Sequence, residues 1–143
     1  MTLLLRSALL TDERGDRADG WVLFDGDIIR ATGTGQAPDA DETVDLGDAR
    51  LVPGFVDLHG HGGGGHSFDD GGEAVHAGLA VHRAHGTTRS VISLVANPLA
   101  VLRPALAEIA QLVAHDPLIL GSHLEGPFLA AERRGAHNVD YLR

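Results

Sequence analysis

The order of apolar and polar residues changes character near residue 50. Before that point, short apolar runs alternate with polar clusters rich in Asp, Gly and Thr, which is typical of strands joined by tight turns. The runs at 21–24 and 27–30 flank Asp25-Gly26, a dipeptide that favours a two-residue hairpin turn. Residues 1–50 are therefore predicted to form a small β-rich N-terminal domain.

After residue 50, apolar runs alternate with amphipathic segments of helical spacing. The runs at 51–58, 89–95 and 118–124 predict three buried strands, since parallel strands covered on both faces are apolar throughout. The segments between them predict helices at 73–85 and 98–114.

The ends of both predicted helices carry capping signals. Asp69 or Asp70 is a candidate N-cap of the first helix, and Gly86 marks its C-terminal stop. Asn97 is a candidate cap of the second helix, with Pro98 at its first position. The resulting β-α-β-α-β order indicates an α/β protein with a parallel sheet covered by helices.

Two folds fit this order, an open doubly wound sheet and a (β/α)8 barrel. A barrel takes roughly 200–250 residues, whereas residues 51–143 suffice for two βα units and a third strand. We interpret the chain as an incomplete (β/α)8 TIM-type barrel at 51–143, truncated, preceded by the small β domain at 1–50.

The charge balance excludes several classes of partner. Twenty acidic residues against 11 basic ones give a net charge of -9, which disfavours binding to nucleic acid or anionic membranes. No apolar run approaches the roughly 20 residues that cross a membrane. The first residues have no basic stretch ahead of their apolar run, as a secretory signal would. The absence of cysteine rules out disulfides and agrees with a cytoplasmic protein. We therefore predict a cytoplasmic protein, and from its charge and its short apolar runs we predict no nucleic-acid or membrane partner.

Two histidines follow the first predicted barrel strand. His59 and His61 are two residues apart, so on a strand both side chains point to one face, at the end where barrel active sites lie. Imidazoles in this arrangement suit a divalent metal, although the pair could also be polar residues of the glycine-rich loop at 60–65. That loop matches GxGxxG, but no acidic residue follows about 20 positions later, so we expect no dinucleotide site.

Glu125 follows the third predicted strand, directly before Gly126 and Pro127. A carboxylate at this end of a buried strand suits a metal ion, and an ion pair with Arg133 or Arg134 is the alternative. His123 shares the strand face of Glu125, and its role, either lining the site or packing behind it, stays open.

His137 lies in the loop after that strand, which faces the same mouth of a barrel. Its imidazole could polarise a substrate carbonyl, or it could be an exposed loop histidine. Four further histidines are predicted to be surface or capping residues of helices: His76, His82, His85 and His115. His66 stays unassigned.

Three segments, at 53–64, 123–129 and 135–138, together resemble the N-terminal portion of the N-acetylglucosamine-6-phosphate deacetylase family, within the amidohydrolase superfamily. The first segment is shared across the superfamily, and His-Leu-Glu-Gly-Pro-Phe at 123–128 is the more specific one. The resemblance implies a metal-dependent barrel with a small β domain built from both chain ends. It also implies conversion of N-acetylglucosamine 6-phosphate to glucosamine 6-phosphate and acetate.

The resemblance further implies roles for individual residues. Glu125 matches a metal ligand, and His59 and His61 match a pair that some members use for a second metal. One or two divalent ions are expected, with zinc preferred and iron or another divalent ion as alternatives. Ala136 matches a backbone contact to substrate, and His137 matches a catalytic imidazole near the acetamido carbonyl.

Several groups of the family are expected beyond residue 143. These are two more metal-ligand histidines, the general-base aspartate and most phosphate-binding groups, so the 143-residue chain alone is expected to be inactive. The full-length protein is expected to be a homodimer that binds a small amino-sugar phosphate. The rival functions are a dihydroorotase-like or hydantoinase-like cyclic amidase, and a non-catalytic domain that binds a metal or a partner.

Overall fold

The computed structural model describes residues 1–143, which divide into two compact units, Met1–Pro53 and Gly54–Arg143. The first unit is one five-stranded sheet with the strands β1 Thr2–Asp12, β2 Gly15–Asp25, β3 Ile28–Thr34, β4 Glu42–Asp45 and β5 Arg50–Leu51. Strands β1, β2 and β3 form an antiparallel meander. The short strands β4 and β5 pair with β1 in parallel.

The predicted hairpin is present, with a small shift of its turn. Asp25 pairs with Ile28, so the two turn residues are Gly26 and Asp27 rather than Asp25 and Gly26. Gly26 has a φ of 60°, a left-handed conformation that glycine adopts without the steric cost of a side chain.

The second unit contains a three-stranded parallel sheet and two helices. In chain order its elements are β6 Phe55–Gly60, β7 Gly62–Gly63, β8 His66–Ser67, α1 Gly72–Ala84, β9 Thr87–Leu94, α2 Leu99–His115 and β10 Ile119–Leu124, with short 3-10 helices at Phe68–Asp70, Ala131–Arg133 and Val139–Tyr141. The strand order is β10-β9-β6, and both pairings are parallel. The predicted parallel β-α-β-α-β arrangement is therefore confirmed. Neither helix is long and apolar enough to cross a membrane.

The core of the second unit lies between the helices and the sheet. Its buried side chains come from α1, α2, β9, the start of β10 and the first 3-10 helix: Phe68, Val75, Leu79, Ile92, Leu94, Leu102, Ile109 and Ile119. Strand β9 lies between the other two strands, and four of its last five residues are buried. Burial of this apolar surface supplies the main driving force for folding of the unit.

The predicted burial of the outer strands is wrong. Residues 50–51 belong to the first sheet, and the strand that follows, β6, exposes Phe55, Val56 and Leu58 by 61%, 54% and 65%. Strand β10 likewise buries only Ile119. Both strands pair only with β9 and are the outer strands of this sheet. Their apolar composition predicted burial, but exposure depends on the position of a strand in the sheet, which composition does not give.

The predicted helix caps are also partly wrong. Gly71, rather than Asp69 or Asp70, is the N-cap residue of α1, because both aspartates lie in the 3-10 helix before it. Pro98, rather than Asn97, is the N-cap residue of α2. Gly86 follows α1 with a φ of 94°, as the predicted stop requires.

We expect Leu79→Ala to destabilise the full-length protein by about 2–5 kcal/mol, because Leu79 is 0% exposed in the core of the second unit. Leu99→Ala is the matched control, since Leu99 is 39% exposed at the start of α2. The measurement is the thermal unfolding midpoint of both variants. An equal decrease in the two midpoints would contradict this description of the core.

Candidate metal centre

The end of β6 brings two imidazole nitrogens together. His59 is the penultimate residue of β6, and its backbone N–H donates to Oδ1 of Asp57 at 3.1 Å. The Nε2 atoms of His59 and His61 lie 3.1 Å apart. The two side chains therefore share one face, as predicted, although His61 lies between β6 and β7 rather than within a strand.

Glu125 is held at the same end of the sheet by the backbone of β9, because its N–H donates to the carbonyl of Leu94 at 3.0 Å. Its Oε1 contacts Nε2 of His59 and lies 3.3 Å from Nε2 of His61. Its Oε2 lies 3.1 Å from Nε2 of His137. The carboxylate thus faces three imidazoles, and none of its ion pairs involves Arg133 or Arg134.

Two of these spacings are close to those of donors around a single ion, whereas the contact between His59 and Glu125 is shorter. Two donors at 2.0–2.1 Å from one tetrahedral metal ion lie about 3.3 Å apart. The two nitrogens of His59 and His61 lie 3.1 Å apart, and His61 lies 3.3 Å from Oε1 of Glu125. Imidazole nitrogen together with carboxylate oxygen is a donor set that zinc and iron accept. The residues present therefore fit a divalent metal ion.

His123, whose role the sequence left open, also lies at this centre. Ligand atoms of His59, His123 and Glu125 all fall within 4.8 Å of one another, a group that could hold a metal ion. The ring of His123 lies 5.0 Å from that of His59, between centroids, and its Nδ1 is 3.3 Å from Oγ of the buried Ser93. His123 thus contacts the site on one side and the core on the other.

The electrostatics favour an ionised carboxylate at Glu125. Burial acts to raise its pKa, but the hydrogen bond and charge interaction with His61, and then those with His59, outweigh this effect. The net pKa of Glu125 lies below its ordinary value, so the group is a carboxylate at neutral pH. Nδ1 of His61 is buried and has no hydrogen-bond partner.

The loop after β10 places His137 against the same centre. Its side chain is only 14% exposed, so the alternative of an exposed loop histidine is wrong. Its Nδ1 accepts the backbone N–H of Ala96 at 3.2 Å. A neutral imidazole that accepts at Nδ1 carries its proton on Nε2, and this is the nitrogen that faces Glu125.

Ala136 and His137 line a cavity of about 900 Å³ together with His59, His61 and Glu125. Arg134 also borders this cavity, and its Nη1 donates to the carbonyl of His137 at 3.2 Å. All five residues that the sequence singled out therefore border one cavity. Their individual roles remain predictions.

Three of the four helical histidines have hydrogen-bond contacts, and His76 is exposed on α1. Nδ1 of His85 and Nδ1 of His115 lie 2.8 Å and 2.7 Å from the carbonyls of Val81 and Gln111, one turn earlier in each helix. Nε2 of His82 lies 2.9 Å from the carbonyl of Gly62. The expectation that these side chains serve helix ends and surfaces agrees with these contacts.

Two contributors to the site were missed in the sequence. The backbone N–H of Ala96 carries no side-chain signal, and Asp69 resembled a helix cap. In the structure, Oδ1 of Asp69 accepts the N–H of Val95 at 3.2 Å. Burial raises the pKa of Asp69, and its hydrogen bonds and the charge of His61 offset this only in part.

No protein-family model matches this chain. The N-acetylglucosamine-6-phosphate deacetylase of Bos taurus is 40% identical over 110 residues, which cover 73% of this chain and 27% of the relative. The N-acetylgalactosamine-6-phosphate deacetylase of Escherichia coli O157:H7 is 31% identical over 147 residues, which cover 100% of this chain and 38% of the relative.

A solved structure matches both units. The N-acetyl-D-glucosamine-6-phosphate deacetylase of Mycobacterium smegmatis, a point mutant in complex with N-acetyl-D-glucosamine-6-phosphate, is 38% identical with a TM-score of 0.90. The match covers 99% of this chain and 37% of that one. The chain thus spans well under half the length of these relatives. With the shared motifs, this agreement shows that the chain is homologous to the N-terminal portion of the N-acetylglucosamine-6-phosphate deacetylases.

Proposed function

We propose that the full-length protein is a metal-dependent amidohydrolase that deacetylates N-acetylglucosamine 6-phosphate to glucosamine 6-phosphate and acetate. The observation that carries the proposal is the convergence of three imidazole nitrogens on the two carboxylate oxygens of Glu125. The proposal treats residues 1–50 as part of a small β domain and 51–143 as the first βα units of a (β/α)8 barrel. In such a barrel, this end of the strands is the mouth that holds the active site.

In this proposal, His59, His61 and Glu125 hold one or two divalent ions, with zinc preferred and iron or another divalent ion as alternatives. The spacing of their donor atoms supports a shared ion. Because the two oxygens of Glu125 face different imidazoles, the carboxylate is also suited to bridging two ions. A bound divalent ion supplies Lewis acidity, which lowers the pKa of water and polarises a carbonyl.

His137 is the catalytic residue of this chain in the proposed reaction. Its Nε2 carries the proton of the neutral ring, so it can donate to the acetamido oxygen as negative charge develops there. The backbone of Ala136, one residue earlier on the cavity wall, contacts the substrate. The general-base aspartate and most phosphate-binding groups lie beyond residue 143. The assembly we propose is a cytoplasmic homodimer.

The deciding experiment is acetate release by the full-length protein with added zinc and after chelation. We expect metal-dependent release from N-acetylglucosamine 6-phosphate, with a higher kcat/KM than for the galactosamine epimer, since the relative named for glucosamine is the more similar over its matched region. Turnover of dihydroorotate or a hydantoin alone would instead support the cyclic amidase. A protein that holds metal but hydrolyses none of these compounds would support the alternative of a non-catalytic domain that binds a metal or a partner.

We expect Glu125→Gln in the full-length protein to reduce both bound metal and acetate release, the latter by about 100-fold or more. The amide keeps the size of the side chain but removes the charge that faces the imidazoles. Metal content by mass spectrometry and kcat/KM are the measurements. Glu132→Gln is the matched control, because Glu132 is an exposed carboxylate in the following loop. Full metal occupancy in Glu125→Gln would contradict the assignment of this ligand.

We expect the isolated 143-residue chain to release no acetate with added zinc, because it offers only part of the proposed catalytic set. Exposed apolar side chains at β6, an edge strand, should also favour self-association of this chain. Acetate assays and size-exclusion chromatography of the isolated chain test both points. Robust turnover by this chain would show that our assignment of the chemistry is wrong.

A further inference from the structure

Asp69 lies outside the metal-ligating group, in the 3-10 helix Phe68–Asp70. Its carboxylate nevertheless reaches the end of β9. There Oδ1 accepts the backbone N–H of Val95 at 3.2 Å and a side-chain N–H of Asn97 at 3.4 Å. One oxygen atom therefore holds the residues on either side of Ala96.

Ala96 is the residue between these two contacts, and it is 3% exposed. Its backbone N–H donates to Nδ1 of His137 at 3.2 Å. The direction of that N–H depends on the peptide that joins Val95 to Ala96. Asp69 holds the backbone N–H of Val95 and the side chain of Asn97, and it therefore restrains the segment that carries the Ala96 N–H.

This contact, together with the carboxylate of Glu125 that faces Nε2, sets which nitrogen of His137 carries the proton. With a backbone donor at Nδ1, only Nε2 can carry the proton of the neutral ring. If the segment 95–97 moved, Nδ1 would lose its donor and the ring would be held only through the contact of Nε2 with Glu125. The ring would then be free to rotate, which would change the direction of the Nε2 proton in the cavity beside Glu125.

We propose that Asp69 is a positioning residue for His137, which acts through the segment 95–97 to hold the orientation of the ring and of its Nε2 proton. This inference rests on the proposed function, in which His137 donates to the acetamido oxygen. The role requires an acceptor oxygen rather than a negative charge, because both donors contact Oδ1. Asparagine, which keeps Oδ1, should therefore replace Asp69 with little loss.

The kinetic test uses the full-length protein with zinc and three variants, Asp69→Ala, Asp69→Asn and Asp70→Ala. Asp70 is the matched control, because it is the next residue of the same 3-10 helix and is exposed. We expect Asp69→Ala to lower kcat for acetate release about tenfold or more, with little change in KM. Asp69→Asn and Asp70→Ala should stay close to the unaltered protein in kcat, KM and metal content.

A double-mutant cycle separates positioning from general damage to the fold. If Asp69 acts through His137, Asp69→Ala should cause little further loss of kcat in a protein that already carries His137→Ala. Independent losses that multiply would overturn the proposal. Loss of metal from Asp69→Ala would overturn it as well, because the effect would then pass through the ligands rather than through His137.

Amide hydrogen exchange gives a readout that needs no turnover. The Ala96 amide should exchange faster in Asp69→Ala than in the unaltered protein, and at the original rate in Asp69→Asn and Asp70→Ala. Unchanged exchange in Asp69→Ala would refute the positioning role, whatever the activity. If the Ala96 amide exchanges faster in Asp69→Ala but the unaltered protein releases no acetate, the contact between Asp69 and the segment 95–97 is supported and the proposed function is refuted.

Discussion

The backbone of β9 and the residues that follow it hold the candidate site together. Leu94 accepts the N–H of Glu125 through its carbonyl, and Ala96 donates its N–H to His137. Between them, the N–H of Val95 binds Asp69. Three consecutive residues thus position a carboxylate, an imidazole and the group that we infer to orient that imidazole.

Strand β9 can do this because it is the central strand of its sheet. It pairs with β6 on one side and β10 on the other, and its last residues pack beneath both helices. A strand paired on both sides has few ways to move without breaking hydrogen bonds. His59 and Glu125 lie at or just beyond the ends of the two strands that pair with β9. The site therefore joins ligands from both neighbours of β9 across the end of that strand.

The chemistry of the site follows from a balance at Glu125. Desolvation acts to raise the pKa of Glu125, and the neighbouring imidazoles outweigh this effect, so the net pKa lies below its ordinary value. A carboxylate that stays ionised beside nitrogen donors is a suitable ligand for a divalent cation, which these groups would share. Imidazole binds a metal ion through the lone pair of a neutral ring, as carboxylate binds through an ionised oxygen.

The sequence by itself determined the local features. Alternation of apolar runs and helical segments after residue 50 specified the parallel β-α-β-α-β unit, and the strand-end positions of His59, His61 and Glu125 specified one common edge of the sheet. These features depend on the spacing of apolar residues that are close in the sequence, and on the general rule that the carboxyl ends of parallel strands lie at one edge of a sheet.

Tertiary structure alone decided the rest. Apolar content predicted burial for β6 and β10, but exposure depends on which strands lie at the edges of the sheet, and that is a property of strand order. The contact from Ala96 to His137 spans 41 positions and uses a backbone group that every residue except proline possesses. Asp69 had the local pattern of a helix cap, whereas its partners lie 26 and 28 positions away. Such contacts leave no periodic trace in the sequence, because they arise only when the fold brings distant segments together.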